Sequence, residues 1–261
     1  MIKYVFIQND PFFLPKVLDK YLREFADSTA GVNIQSVSQG KRTVFQTAFD
    51  LYRVYGFGYF QWKVRKYAWL KLRAKIAGLV GSTRHPYSVA SVASKYGVPV
   101  TQSVNVNDEA FLEHLRELKV ALIVSISGTQ LYRKKLRQQT PAGIINCHGA
   151  LLPKYRGLMP SFWTLLNGER EGGISVHFVD RKLDSGPIVV QERYRIHPHD
   201  TLEHVMARSK DLAAESIIQA VRRIEAGNPE LLANDESQAT SFSMPTPEDG
   251  KRFRASGRRF R

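Results

Sequence analysis

The run KVALIVSIS at residues 119–127 is almost continuously apolar. A strand with one wet face alternates between apolar and polar residues, so a strand apolar on both faces must be covered on both. Four further short segments read as strands: IKYVFIQ (2–8), NIQSVS (33–38), GVPVTQ (97–102) and GIINCH (143–148). Helical patterns lie between them at 11–26, 41–55 and 107–118. This order predicts an α/β fold, a doubly wound, Rossmann-like and mostly parallel sheet with helices on both faces. From residue 171 the pattern changes, and GGISVHFVD and PIVVQERYRI read as neighbouring strands joined by a turn at Ser185-Gly186-Pro187, which makes the sheet mixed. A last helix is expected over 201–226, with Asp200 and Glu203 as its capping box.

A chain of 261 residues, 43% hydrophobic, can bury a full core, so disorder is excluded and one large domain is expected over 1–226 with an extension at 227–261. The extension is polar, and EDGKRFRASGRRFR carries six basic residues without a period, which reads as a partly mobile tail. No internal repeat is visible. Cys147 is the only cysteine, so an intrachain disulfide is excluded and a reducing compartment is expected. The first apolar stretch is too short for a signal sequence and no run is long enough to span a membrane, so the reading is a cytoplasmic protein.

The formal net charge of +14 is unevenly placed. Between Asp50 and Asp108 there is no acidic residue, while Arg53, Lys63, Arg65, Lys66, Lys71, Arg73, Lys75, Arg84 and Lys95 are basic. Tyr52, Tyr55, Phe57, Tyr59, Phe60, Trp62, Tyr67 and Trp69 are interleaved with the first of these. Residues 53–75 can therefore meet an anionic surface, a nucleic acid or a phosphate-bearing ligand. On a helical wheel the basic positions of 62–79 spread all round, so a packed insertion with solvated lysines is an equal reading.

Such a sheet invites a nucleotide, but the first strand runs into QNDPFFLPK, which has no glycine, so the dinucleotide turn is missing, and no phosphate-cradling G-x-x-x-x-G-K-[ST] occurs. The more informative stretch is IINCHGALLPKYRGLMPSFW, residues 144–163. In a strand Asn146 and His148 share a face and Cys147 points the other way, into the core. Asn146 and His148 at the carboxyl end of a parallel strand either satisfy buried backbone groups or stand where open α/β sheets place their chemistry. Pro153, Gly157 and Pro160 then fix a loop, and Asp180 and Asp184 follow on a turn between strands.

This set resembles the formyltransferase family that uses 10-formyltetrahydrofolate. The family pattern of a strand ending N-x-H, a L-L-P-x-[YWF]-[RKP]-G loop and a L-D-[TGS]-G-[PD] turn is matched by Asn146, His148, Leu151-Leu152-Pro153, Tyr155-Arg156-Gly157 and Leu183-Asp184-Ser185-Gly186-Pro187, within about residues 97–225. The resemblance implies a formyltransferase fold, and a catalytic domain over 1–226 with a basic, aromatic insertion at about 51–84. Its implied catalytic residues are Asn146, His148 and Asp184. Asn146 and a ring N–H of His148 would donate to the oxygen that gains charge, and Asp184 would orient or charge His148 and help move the amine proton. Gln130, Leu131, Tyr132, Asp180, Lys182 and Leu183 match the cofactor pocket, and Leu152, Pro153, Tyr155, Arg156 and Gly157 the substrate loop. No metal is required. His197, His199 and His204 form an H-x-H-x4-H pattern, but the position of His199 beside Pro198 and the helix start argues against a metal site. His177 reads as a structural neighbour of the site.

There are departures. Ala150 stands where the family has serine, no glycine follows the first strand, and the insertion has no counterpart in the family pattern. The expected reaction is transfer of the formyl group to a small-molecule primary amine, phosphate-bearing and most simply a nucleotide-linked amino sugar. Methionyl-tRNA, glycinamide ribotide or another amine, or water, are the alternatives. The chain ends too early for the added domain of the tRNA enzymes. A homodimer is compatible with the sequence. The non-enzyme reading is a basic nucleic-acid or membrane-surface binding protein on a formyltransferase-like scaffold.

Overall fold

The computed structural model describes residues 1–36, 44–79, 88–102 and 104–261. In chain order the elements are β1 (Lys3–Gln8), α1 (Leu14–Phe25), β2 (Thr29–Gln35), α2 (Val44–Tyr55), α3 (Phe57–Leu79), α4 (Val89–Lys95), β3 (Val100–Gln102), α5 (Glu109–Glu117), β4 (Leu122–Ile126), α6 (Lys134–Gln139) and β5 (Ile144–His148). Then come β6 (Arg156–Gly157), α7 (Pro160–Leu166), β7 (Glu171–Phe178), β8 (Ile188–Arg195), α8 (Leu202–Glu225), β9 (Ser241–Phe242) and α9 (Pro247–Ala255).

Seven strands form one mixed sheet in the order β3-β2-β1-β4-β5-β7-β8. The first five are parallel, and β7 and β8 are antiparallel to their neighbours. Alternation along each strand divides the core. Val5 and Ile7 of β1 pack with α1, α4 and α8 on one face, while Tyr4 and Phe6 pack with Phe111, Leu115 and Leu136 of α5 and α6 on the other. All five residues of β4 are buried, as a strand with two apolar faces requires.

Several boundaries differ from expectation. β2 starts at Thr29, ahead of the apolar residues that marked it, because Gly31 lies against the ring of Tyr4 where a Cβ would not fit. Residues 37–38 of that expected strand, 41–43 of the expected helix and 80–84 of the insertion, with Arg84, lie outside the described residues. The capping box of α8 is Thr201 with His204, not Asp200 with Glu203. Asp200 instead accepts from the His197 N–H and the Arg208 guanidinium, and Glu203 accepts from Tyr59 and pairs with Lys63 and Lys66. Glu203 thus ties the inner face of α3 to the body.

The extension, expected from the sequence as polar, basic and partly mobile, contributes residues that pack on the body. Thr246 and Asp249 form a capping box that starts α9, and Phe253 and Phe260 are buried against Phe162, Phe260 also stacking on Tyr59. Phe242, Phe253 and Phe260 supply its apolar anchorage, too few to show a period among so many charges.

Candidate active site

Register, rather than sequence proximity, assembles the site. Asn146 of β5 has Ser125 of β4 as its partner on one side and His177 of β7 on the other. The Ser125 hydroxyl donates to Asn146 Oδ1 at 2.9 Å. Its hydrogen being committed there, the Tyr132 hydroxyl donates to Ser125 Oγ at 2.8 Å. This chain fixes the amide so that Nδ2 points the other way, to His177 Nε2 and Asp184 Oδ1, each at 3.4 Å. His177 Nδ1 donates to the Phe178 carbonyl at 2.8 Å, and its Nε2 lies 3.4 Å from both the Asn146 amide nitrogen and Asp184 Oδ1.

His148 Nε2 lies 2.7 Å from the Tyr155 carbonyl, an acceptor only, so Nε2 carries the proton. Nδ1 faces Asp184 Oδ2 at 3.5 Å. The same Oδ2 accepts from the Gly157 N–H at 2.9 Å. Burial opposes ionisation of Asp184, but His148, then His177, together with the Gly157 N–H hold its carboxyl well below the usual carboxylate range. Burial pulls His148 below its ordinary value, against the opposing pull of Asp184 and the Tyr155 carbonyl. At rest Asp184 is ionised and held by the Gly157 N–H and the Asn146 amide beside a neutral His148, and the coulombic pull of His148 on the carboxylate acts once that ring takes a proton. The resting ring offers its lone pair at Nδ1, so the ring N–H expected to face the formyl oxygen forms only when Nδ1 takes a proton.

Asn146, His148 and Asp184 come together as the sequence suggested. Cys147 points into the opposite core, where burial pushes its thiol up to about 11. The other candidates divide. In the loop, Leu152 is buried, Pro153 is half-buried, and Tyr155 stacks on Phe242 of the extension. Buried Arg156 binds Glu236 and Asn234 at 2.8 and 3.0 Å. Ala150 is buried; its carbonyl and the Leu152 N–H both use Ser175 Oγ, so a hydroxyl from β7 anchors the loop. Of the cofactor candidates, Gln130 uses its side-chain amide on Val104 and Val106, Tyr132 is the anchor described above, and Lys182 pairs with Glu236. Leu131, Asp180 and Leu183 are exposed.

The sequence reading missed Ser125, Asn234 and Thr240. Asn234 Nδ2 bridges the carbonyls of Asp184 and Gly186 at 2.9 Å each, and Thr240 holds the loop through its hydroxyl and carbonyl, bonding the Tyr155 and Arg156 N–H groups. Ser125 carried a signal, a hydroxyl within an otherwise apolar buried strand. Among the described residues no group of three metal-ligating side chains gathers.

Residues 62–221, more than half of the chain, match the formyl transferase family. The chain belongs to the formyl transferase family. The family match begins inside α3, so part of the basic helix falls within it. A methionyl-tRNA formyltransferase of Kosmotoga olearia is 38% identical over 164 residues, 63% of this chain and 53% of its own length. The chain thus spans about half the length of this curated relative. Among solved structures, a sugar N-formyltransferase from a Shewanella species aligns over 94% of this chain and 77% of its own, with TM-score 0.59 and 17% identity. A phosphoribosylglycinamide formyltransferase from Anaplasma phagocytophilum aligns over 94% and 99%, with TM-score 0.60 and 18% identity. These likenesses show the formyltransferase fold.

Proposed function

We propose that the protein transfers a formyl group from 10-formyltetrahydrofolate to a primary amine, and that the amine belongs to a nucleotide-linked amino sugar. The observation that carries the reaction is the convergence of Asn146 Nδ2 and His148 Nδ1 on the two oxygens of Asp184 within a formyl transferase family chain.

The chain's groups suit the folate. At the carboxyl end of β2 the buried Gln35 Nε2 has no hydrogen-bond partner among the described residues, while Gln35 Oε1 holds the Thr129 and Gln130 N–H groups; Leu131 and Leu183 offer exposed apolar surface. The bound folate supplies the formyl group at N10. As the amine attacks, the formyl oxygen gains negative charge, and Asn146, held in one orientation by Ser125, turns its N–H toward it. The amine gives up a proton, which His148 accepts at Nδ1. The resulting imidazolium is held by the Tyr155 carbonyl and by Asp184, whose charge is already present. Its new Nδ1–H is then a second donor to the same oxygen, and as the bond from the formyl carbon to N10 breaks the proton passes on to N10, releasing tetrahydrofolate and restoring neutral His148.

This assignment fixes a pH dependence. His148 titrates below its ordinary value near 6.5, so kcat/KM is expected to be full at neutral pH and to fall as the pH drops through a value below that. Asp184→Asn removes the charge that favours imidazolium and is expected to move the inflection further to the acid side. An inflection at or above the ordinary value in the native enzyme overturns neutral His148.

The sugar acceptor rests on the inner half of α3. Phe12 and Phe13, just after β1, and Trp62 are covered by the ammonium groups of Lys63 and Lys66 at 4.3 to 5.7 Å. Aromatic faces beside ammonium groups suit a base and its diphosphate. Lys63 is committed to Glu203, with Lys66 further away at 3.6 Å. Lys66→Ala is therefore expected to raise the acceptor KM several-fold with kcat and folate affinity unchanged. The deciding experiment measures tetrahydrofolate release with nucleotide-linked amino sugars, methionyl-tRNA and glycinamide ribotide in parallel. Release with methionyl-tRNA or the ribotide alone overturns the sugar, and release with no amine overturns the transfer. Contact of the basic residues 53–75 with an anionic surface is a proposal separate from the acceptor site.

A further inference from the structure

The outer half of α3 is not used by the fold or by the site just described. Tyr59, Trp62, Lys63 and Lys66 turn inward to Phe12, Glu203 and Phe260. Further along the helix, beyond these packed residues, Trp69, Leu72, Ile76 and Leu79 are 52%, 55%, 50% and 79% exposed. Their spacing of three, four and three residues puts them on one stripe of the helix. Arg65 continues the stripe toward the N-terminus, and the exposed Lys71 and Lys75 run along one side of it. At its N-terminal end Phe57 and Gly58 line a depression with Arg258, Arg259 and Arg261 from the end of the extension. From Gly58 to Leu79 the stripe is about 32 Å long at 1.5 Å per residue. A second aromatic stripe, Phe45, Phe49 and Tyr52 of α2, is also exposed and joins α3 through the contact of Tyr52 with Phe60.

We infer that α3 is an interfacial helix that docks the enzyme on an anionic phospholipid surface, with Trp69, Leu72, Ile76 and Leu79 entering the headgroup boundary and Arg65, Lys71 and Lys75 meeting the lipid phosphates. Charge decides the occupant. The helix carries six basic residues and no acidic one, so a second copy laid along it would set like charges against like. Nucleic acid would use the basic groups and Trp69, but Leu72, Ile76 and Leu79 have no ring on which a base could stack. An anionic bilayer takes both halves of the pattern, the apolar stripe and its basic border. Among the described residues no helix is long and apolar enough to cross a membrane, so α3 lies on the surface.

The test is flotation of the full chain with phosphatidylcholine vesicles with and without phosphatidylglycerol. Binding is expected only with phosphatidylglycerol, is weakened by salt, and shifts Trp fluorescence to the blue, a shift absent in Trp69→Phe. Replacing Lys71 and Lys75 with glutamine is expected to weaken binding by about 30-fold. Leu72→Ser with Ile76→Ser keeps every charge and is expected to weaken it by at least about tenfold. All four side chains are exposed, and an unchanged thermal midpoint confirms the fold. Absence of binding, or binding indifferent to the two serines, overturns the proposal. Tight tRNA binding that the serines leave intact points to nucleic acid, and a dimer in sedimentation that they dissolve points to a second copy; either result also overturns it. Formyl transfer is not read in these measurements, so their failure is distinct from failure of the catalytic proposal.

Discussion

His148→Ala and Asp184→Ala are each expected to lower kcat by at least about a hundredfold in an enzyme that stays folded. His148→Ala removes the acceptor for the amine proton and, with it, one donor to the formyl oxygen. Asp184→Ala removes the charge that stabilises the imidazolium, and also the acceptor that holds the Gly157 N–H and the Asn146 amide. Asn146 separates donor from bulk. Asn146→Ala deletes the N–H, whereas Asn146→Asp keeps the size but places a carboxylate beside Asp184 and toward the oxygen that gains charge. The Asp variant is expected to be slower than the Ala variant. Steady-state kinetics with the acceptor found in the parallel screen, alongside thermal unfolding, measures all four. Native turnover in His148→Ala or Asp184→Ala would leave the mechanism without its base or its counter-charge.

The part of the site that sequence exposes is the part governed by alternation. Asn146 and His148 fall on one face of β5 because side chains alternate, and Cys147 is thereby sent to the core. Ser125 and His177 become neighbours of Asn146 only through the register of β4 and β7, and no local pattern states a register. Glu203 shows the same limit at a helix end, since its spacing from Asp200 suits a cap while its carboxylate serves Tyr59 and Lys63. Asn234 and Thr240 are further out of reach. They hold the Asp184 turn and the Tyr155 loop from a polar segment whose role depends on where α8 delivers the chain. The aromatic insertion was legible in composition but not in packing, because Trp62 and Trp69 share a helix face and only the packed structure shows that Trp62 stacks on Tyr59 while Trp69, seven residues on, is exposed.

Gly157→Ala is expected to cost about 3 kcal/mol of stability, a fall of roughly 6–12 °C in Tm, and to lower kcat at least about tenfold. Gly157 has φ 96°, a conformation L side chains rarely adopt, and its N–H donates to Asp184 Oδ2 at 2.9 Å. A Cβ there would stand well inside van der Waals contact of the Phe242 carbonyl oxygen, a backbone atom of β9 held by its pairing with β6. The loop must move off β9 or change its dihedral angle, and either movement draws the N–H away from the carboxylate that supports His148. Gly168 is the internal control. It also has positive φ, at 75°, but a Cβ there meets nothing within 4 Å. Gly168→Ala is therefore expected to show backbone strain alone, about 1 kcal/mol, with kcat unchanged. Equal losses of activity in the two variants would mean that positive φ, not the contact with β9 and the hydrogen bond to Asp184, accounts for the effect at Gly157.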